Sequence, residues 1–158
     1  MRKLTAADVQ KVTGYSRNQL RGLLDELPAY FGQAPSVRIA REFTPHDLIV
    51  LSVVSILESR VGLRRRAIVA ISELLRKVLS GPKKVNRGAR LMVSFDPPLV
   101  SYIASGLPSR DGVLVSLGPI FERVDRYLGY ADSASAQLQP NLRLGPTLIS
   151  TERRKGAG

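Results

Sequence analysis

Polar side chains that can pair with nucleic-acid bases cluster in one short segment near the N-terminus. Arg17 and Arg21 carry guanidinium groups that can fork onto guanine, while Asn18 and Gln19 carry amides that can fork onto adenine. The same groups also bind phosphate oxygens, which position a protein on a duplex. Ser16, directly before them, is a good helix N-cap. These residue types predict a polar helix terminus that contacts DNA.

Two short helices are expected to position these side chains. Thr5 and Asp8 are spaced as an N-cap and its acidic third residue, so a first helix begins at about Ala6 and ends near Val12. Gly14 suits the turn that follows, because glycine adopts positive φ at little cost. The second helix has leucines at helical spacing for a buried face: Leu20, Leu23, Leu24 and Leu27. This is the pattern of a helix-turn-helix, although a helical hairpin without a ligand can share it.

A β-wing is predicted after the second helix. Pro28 ends that helix, and residues 28–41 contain glycine and proline around a candidate strand, Val37–Ile39. Arg38 and Arg41 would lie on or beside this wing. Both arginines are therefore candidate DNA contacts.

Two longer helices complete the predicted N-terminal domain. Thr44 and Pro45 start the third helix as N-cap and first helical residue. The fourth helix is predicted over Arg65–Leu79, and arginines at its start oppose the helix dipole: Arg64, Arg65 and Arg66. A nearby phosphate would offset that cost, which makes Arg64 and Arg65 candidate contacts. The alternative is a solvated basic helix face.

Three segments of this half resemble the N-terminal domain of MerR-type transcription regulators, a winged-helix family: residues 4–24, Arg41–Leu48 and Val61–Ile68. The resemblance implies that the second helix enters the major groove and that the wing contacts the flanking backbone. By position, those roles fall on Ser16, Arg17, Asn18, Gln19 and Arg21 in the helix, and on Arg38 and Arg41 in the wing. Where the family usually has two tyrosines, this chain has Gly22 and Leu23. The chain has no cysteine, which excludes the thiolate metal sensing of some relatives.

The basic charge is concentrated in the same half. Residues 1–88 hold 16 Lys and Arg against 7 Asp and Glu, whereas residues 89–158 hold 8 against 6. Such an excess attracts phosphate and makes binding salt-dependent. A binder of any polyanion would carry the same charge, so charge alone does not predict specificity.

The second half changes in pattern near residue 85. Arg90–Phe95 and Gly112–Leu117 are β-rich runs, each followed by a proline turn and an apolar segment. The pattern is either a weak repeat of a strand-turn-helix unit or a coincidence, because two units are fewer than a solenoid needs. A module of about 40 residues rarely folds alone without a staple, so it is expected to pack on the first domain or on a second copy. Its aromatic residues can form a core or line an effector pocket: Phe95, Tyr102, Phe121, Tyr127 and Tyr130.

These observations predict a mainly α winged helix-turn-helix N-terminal domain with a small α/β C-terminal module. The predicted boundaries are 1–82 for the DNA-binding domain, 83–88 for a basic linker, 89–130 for a self-association module and 131–158 for a largely flexible tail. The linker holds Lys83, Lys84 and Arg87.

The expected function is that of a sequence-specific regulator that binds double-stranded DNA as a homodimer through residues 89–130. The alternative is a DNA-associated adaptor of a phage or mobile-element assembly that docks a protein partner. No catalytic motif, cofactor loop or metal-ligand cluster is recognisable, and the lone His46 is expected at a helix first turn. No apolar run approaches membrane-spanning length, and the absence of cysteine fits a cytoplasmic location.

Overall fold

The computed structural model describes residues 2–31, 40–80 and 88–129. Helices dominate its first part and a small sheet follows. In chain order the elements are α1 (Ala6–Thr13), α2 (Arg17–Glu26), a 3-10 turn (Pro28–Tyr30), α3 (Pro45–Ser59), α4 (Arg65–Leu79), β1 (Arg90–Phe95), β2 (Pro98–Ile103), β3 (Val113–Ser116) and α5 (Gly118–Leu128). The fold is therefore mixed, as expected at this coarse level. The predicted wing strand, the basic residues of the linker and the C-terminal tail lie outside the described residues.

Local sequence signals explain where the first helices begin and end. The Asp8 carboxylate accepts a hydrogen bond from the Thr5 backbone N–H at 2.7 Å, which holds the start of α1. Gly14 ends that helix in the left-handed region, with φ at 80°, a conformation that would strain other residues. The turn between α1 and α2 therefore has the geometry that the sequence predicted.

The third helix forms the centre of the core. Its side chains are buried around almost the whole circumference, and Leu48, Leu51 and Leu57 have no exposed surface. It packs against α1 on one side and α4 on another. A helix that is apolar on nearly all sides has to be enclosed in this way. Helices α1 and α4 therefore cover α3.

The sheet is antiparallel, with strand order β2-β1-β3. In the central strand, Leu91 lies opposite Tyr102 of β2 and Val115 of β3. The prediction of a repeated strand-turn-helix unit is wrong for the first copy, because Pro98–Ile103 is a strand. Valine, tyrosine and isoleucine favour the extended backbone of that segment, and β1 offers it a partner across a tight turn.

The sheet packs on the helical part. Strand β2 contacts α4, and one compact unit runs from Met1 to Val124, with a second from Asp125 to Gly158. The first alternative for the small module, packing on the first domain, matches this arrangement. The aromatic residues Phe95, Tyr102 and Phe121 are only half-buried, and the module core is formed by aliphatic residues such as Leu91 and Val93. The finer domain boundaries stay a prediction.

A buried polar network joins the 3-10 turn, α3 and α4. The Asp47 carboxylate accepts hydrogen bonds from the Tyr30 hydroxyl at 2.7 Å, from Arg76 at 2.8 Å and from the Thr44 N–H at 2.8 Å. Burial alone would raise the pKa of Asp47, but these hydrogen bonds together lower it below its ordinary value. Burial, followed by the bond to Asp47, raises the pKa of Tyr30. The network therefore stabilises an ionised Asp47 beside a neutral Tyr30.

Acid is expected to weaken the fold through Asp47. Because its pKa is lowered on folding, its ionised form contributes stability above its unfolded pKa near 3.8, and this stability is lost as pH falls through the lower folded pKa. Urea unfolding followed at several pH values from about 5 down to about 2 should show this loss. In Asp47→Asn the loss should be smaller, since the substituted side chain does not titrate. If the free energy of unfolding fell equally with pH in the intact chain and in Asp47→Asn, the loss of stability in acid could not be due to Asp47.

Candidate nucleic-acid interface

The start of α2 is fixed by a reciprocal cap. The Ser16 hydroxyl accepts a hydrogen bond from the Gln19 N–H at 3.2 Å, and the Gln19 side-chain oxygen accepts one from the Ser16 N–H at 2.9 Å. Two orphan donors of the helix end are satisfied in this way. Ser16 and Gln19 therefore hold the helix terminus, and the Gln19 amide nitrogen is the part of this pair left for an outside acceptor.

The remaining predicted residues of α2 face solvent. Arg17, Asn18 and Arg21 are exposed, while Leu20, Leu23 and Leu24 are almost fully buried. Within the described ranges, no carboxylate lies in ion-pair distance of Arg17 or Arg21. The arrangement presents two guanidiniums and one amide, all on the first half of one helix, to an external ligand.

Arg41 lies beside this helix, but its side chain is largely covered and paired with a carboxylate. Its side chain is 11% exposed and its guanidinium is 3.5 Å from the Asp25 carboxylate of α2. An antiparallel bridge between Leu4 and Phe43, with a 3.0 Å hydrogen bond from the Phe43 N–H to the Leu4 carbonyl, fixes this part of the chain next to the start of α1. Arg41 is thus placed by backbone pairing. Arg38 lies outside the described residues.

A groove of about 840 Å³ connects these arginines. Arg17, Arg21 and Arg41 line it together with Asp25. The rest of the lining is largely apolar and comes from both helices and from residue 40: Ala6, Ala7, Leu20, Leu24 and Ala40, with Thr5 and Gln10 as further polar members. The structure therefore brings three of the predicted arginines to one concave surface.

Arg65 belongs to a separate cluster. Its guanidinium donates to the Glu58 carboxylate at 2.6 Å and lies 3.5 Å from Glu26 of α2. The Tyr15 hydroxyl donates to the same Glu58 at 2.6 Å. Burial, followed by this bond, raises the pKa of Tyr15. The cluster ties the turn before α2, the end of α2 and the start of α4 to the end of α3.

Sequence reasoning did not find Glu58 or Tyr15. Tyr15 and Glu58 are 43 positions apart, and no local pattern marks a contact over that distance. Arg65 passes close to α2 at Gly22, where an added Cβ would lie 3.9 Å from its guanidinium, an ordinary van der Waals distance.

The neighbours of Arg65 are placed differently. Arg64 and Arg66 are exposed, and Arg64 occupies the N-cap position of α4 without a capping side-chain hydrogen bond. No carboxylate among the described residues forms an ion pair with either one. Positive charge beside a positive helix end is unfavourable, and an anion bound there would relieve it. Of the two predicted contacts on this helix, Arg64 is the one whose guanidinium stays exposed.

The residues that the structure describes offer few groups for catalysis or metal binding. His46 lies 3.2 Å from the Arg76 carbonyl oxygen through Nε2, at the start of α3. No group of three His, Cys, Asp or Glu side chains in residues 2–31, 40–80 and 88–129 is arranged to hold a metal ion. Among those same residues, no helix is long and apolar enough to cross a membrane.

Comparison with known proteins adds no relative. No family model, no curated protein and no solved structure matches the chain.

Proposed function

We propose that the chain is a sequence-specific regulator that binds double-stranded DNA through a winged helix-turn-helix of the MerR type. The second helix would enter the major groove, where Arg17, Asn18 and Arg21 read bases or hold phosphates. The amide nitrogen of Gln19 can add a contact while its oxygen keeps the helix cap. Arg64 would contact the flanking backbone.

The observation that carries the proposal is that Arg17 and Arg21 are exposed at the start of a well-capped helix. Its cap is complete and its apolar face is buried, yet Arg17 and Arg21 remain exposed with no carboxylate partner in the described residues. Arg65, by contrast, is paired with Glu58 and Glu26. Two unpaired guanidiniums on a preformed helix end suit an anionic, hydrogen-bonding ligand such as DNA.

A homodimer through residues 89–130 remains part of the proposal. One short recognition helix offers few base contacts, so paired half-sites would supply the specificity that a single copy lacks. The net charge of +11 supports phosphate binding but opposes association of two copies away from DNA. Dimer formation is therefore expected to be favoured on the duplex, which neutralises that charge.

The first experiment selects ligands from a randomised duplex pool at near-physiological salt. The intact chain is compared with Arg17→Ala/Asn18→Ala, which leaves the Ser16 and Gln19 cap in place. We expect the intact chain to enrich a two-fold symmetric motif, and the variant to lose it, because each lost base contact costs about 1–3 kcal/mol of discrimination. Selection by the variant of the same motif would contradict the assigned recognition helix.

The matched control is Arg60→Ala at the end of α3, which removes an exposed arginine that lies outside both α2 and residues 89–130. It should keep the motif, since only the overall charge changes. Weak, salt-sensitive binding without a motif in every protein would disfavour a regulator. That result would favour the adaptor function, in which the chain docks a protein partner.

A further inference from the structure

The groove beside α2 has a shape that DNA does not require. A duplex backbone is convex and its phosphates are strongly hydrated, so arginines on an open surface are sufficient to hold it. This groove instead has a volume of about 840 Å³, and its apolar floor includes Ala6, Ala7 and Ala40, which keep accessible surface. Sites of this size with an apolar lining and a few converging polar groups are typical of small-molecule binding.

The charges around the floor select the kind of ligand. Arg17 and Arg21 are one helical turn apart and line the same groove, and Arg41 lines it as well. Asp25 is the single acidic side chain among the described lining residues, and it is paired with Arg41. The groove therefore combines a cationic rim with an apolar base, which is complementary to an anionic head group on an apolar body.

We propose that this groove binds a small organic anion, with its carboxylate, sulfonate or phosphate head at Arg17 and Arg21 and its apolar body over Ala6, Ala7 and Ala40. Guanidiniums form paired, charge-assisted hydrogen bonds with such heads. The body displaces water from the apolar floor, which contributes the second part of the affinity.

Occupancy of the groove would compete with DNA, because Arg17 and Arg21 serve both ligands. This consequence rests on the proposed function, whereas binding of the anion does not. Both ligands cannot hold the same two guanidiniums at once, so each lowers the affinity for the other by the same factor. An anion of this class would then release the protein from its site.

The probe for the test is anilinonaphthalene sulfonate, a fluorescent anion on an apolar ring system. Its uncharged counterpart, N-phenylnaphthylamine, shows what the rings contribute alone. We expect one saturable sulfonate site per chain, weakened by about tenfold or more in Arg17→Gln/Arg21→Gln, because two charge-assisted contacts are lost. Binding of the uncharged dye should change little. The control Arg60→Gln/Arg66→Gln removes the same charge from exposed positions outside the groove and outside residues 89–130, and it should leave both dyes unaffected.

A second variant tests the location without changing charge. Ala7→Phe places a ring in the groove and should abolish the site, with circular dichroism confirming that the chain remains helical. Sulfonate binding that is unchanged in the arginine variant or in the folded Ala7→Phe variant would overturn the proposal. A duplex is expected to displace the dye from the intact chain. Dye binding without displacement would overturn the competition alone, and a duplex pool without a motif would count against the proposed function alone.

Discussion

Asp47→Ala is expected to destabilise the fold by about 3 kcal/mol, because it removes the acceptor on which three elements converge. Asp47 is 9% exposed at its side chain, and its loss leaves the Tyr30 hydroxyl and the Arg76 guanidinium without their shared partner. It also removes the reciprocal half of the Thr44 cap at the start of α3. Urea unfolding at neutral pH, followed by circular dichroism, measures the effect.

The comparison variant Arg76→Ala separates the ion pair from the cap. Without Arg76, Asp47 still accepts hydrogen bonds from Tyr30 and Thr44, so the removal of this half-buried partner should cost only about 1–2 kcal/mol. The double variant should cost less than the two single effects added together, since each change already breaks the same pair. An Asp47→Ala effect no larger than that of Arg76→Ala would show that the cap and the Tyr30 bond contribute nothing.

Arg65→Met is expected to lower stability by about 1–3 kcal/mol while leaving the salt dependence of DNA binding unchanged. The reason is that the Arg65 guanidinium is occupied by Glu58 and Glu26, and methionine preserves the packing of its aliphatic part. Arg64→Met provides the matched control one position earlier. Arg64 is exposed, so this change should leave stability almost unaffected. It should reduce the slope of the logarithm of the DNA-binding constant against the logarithm of the salt concentration by about 1.

Both quantities can be measured on the same preparations. Thermal or urea unfolding gives the stability, and fluorescence anisotropy of a labelled duplex at several salt concentrations gives the slope. The DNA-contact role assigned to Arg65 from the sequence stays a prediction that this pair tests. A reduced slope in Arg65→Met with unchanged stability would favour direct contact, and the opposite result would make Arg65 a positioning residue for α2.

Local signals predicted most of the elements. The cap formed by Thr44 and Pro45 gave the start of α3, and the predicted span Arg65–Leu79 is that of α4. Strand β1 likewise has its predicted bounds, Arg90–Phe95. These signals succeed because caps, prolines and periodicity act over a few residues, where the sequence itself records the interaction.

Contacts between distant residues could not be predicted in this way. Nothing near Glu58 indicates that it accepts from both Tyr15 and Arg65, and nothing near Tyr30 indicates its bond to Asp47. The same distinction between local and distant interactions applies to the candidate interface. The exposure of Arg17 followed from helix geometry, whereas the burial of Arg41 depends on the backbone pairing of Leu4 with Phe43.

The packing of β2 on α4 restricts how the protein can be dissected. A fragment that stops after Ser80 would keep the predicted DNA-binding helices but would strip the sheet from one side of α4. Apolar surface exposed in that way favours self-association and nonspecific adhesion. Crystallisation or spectroscopy of the proposed recognition helix therefore calls for a fragment that extends at least through Val124, the end of the first compact unit.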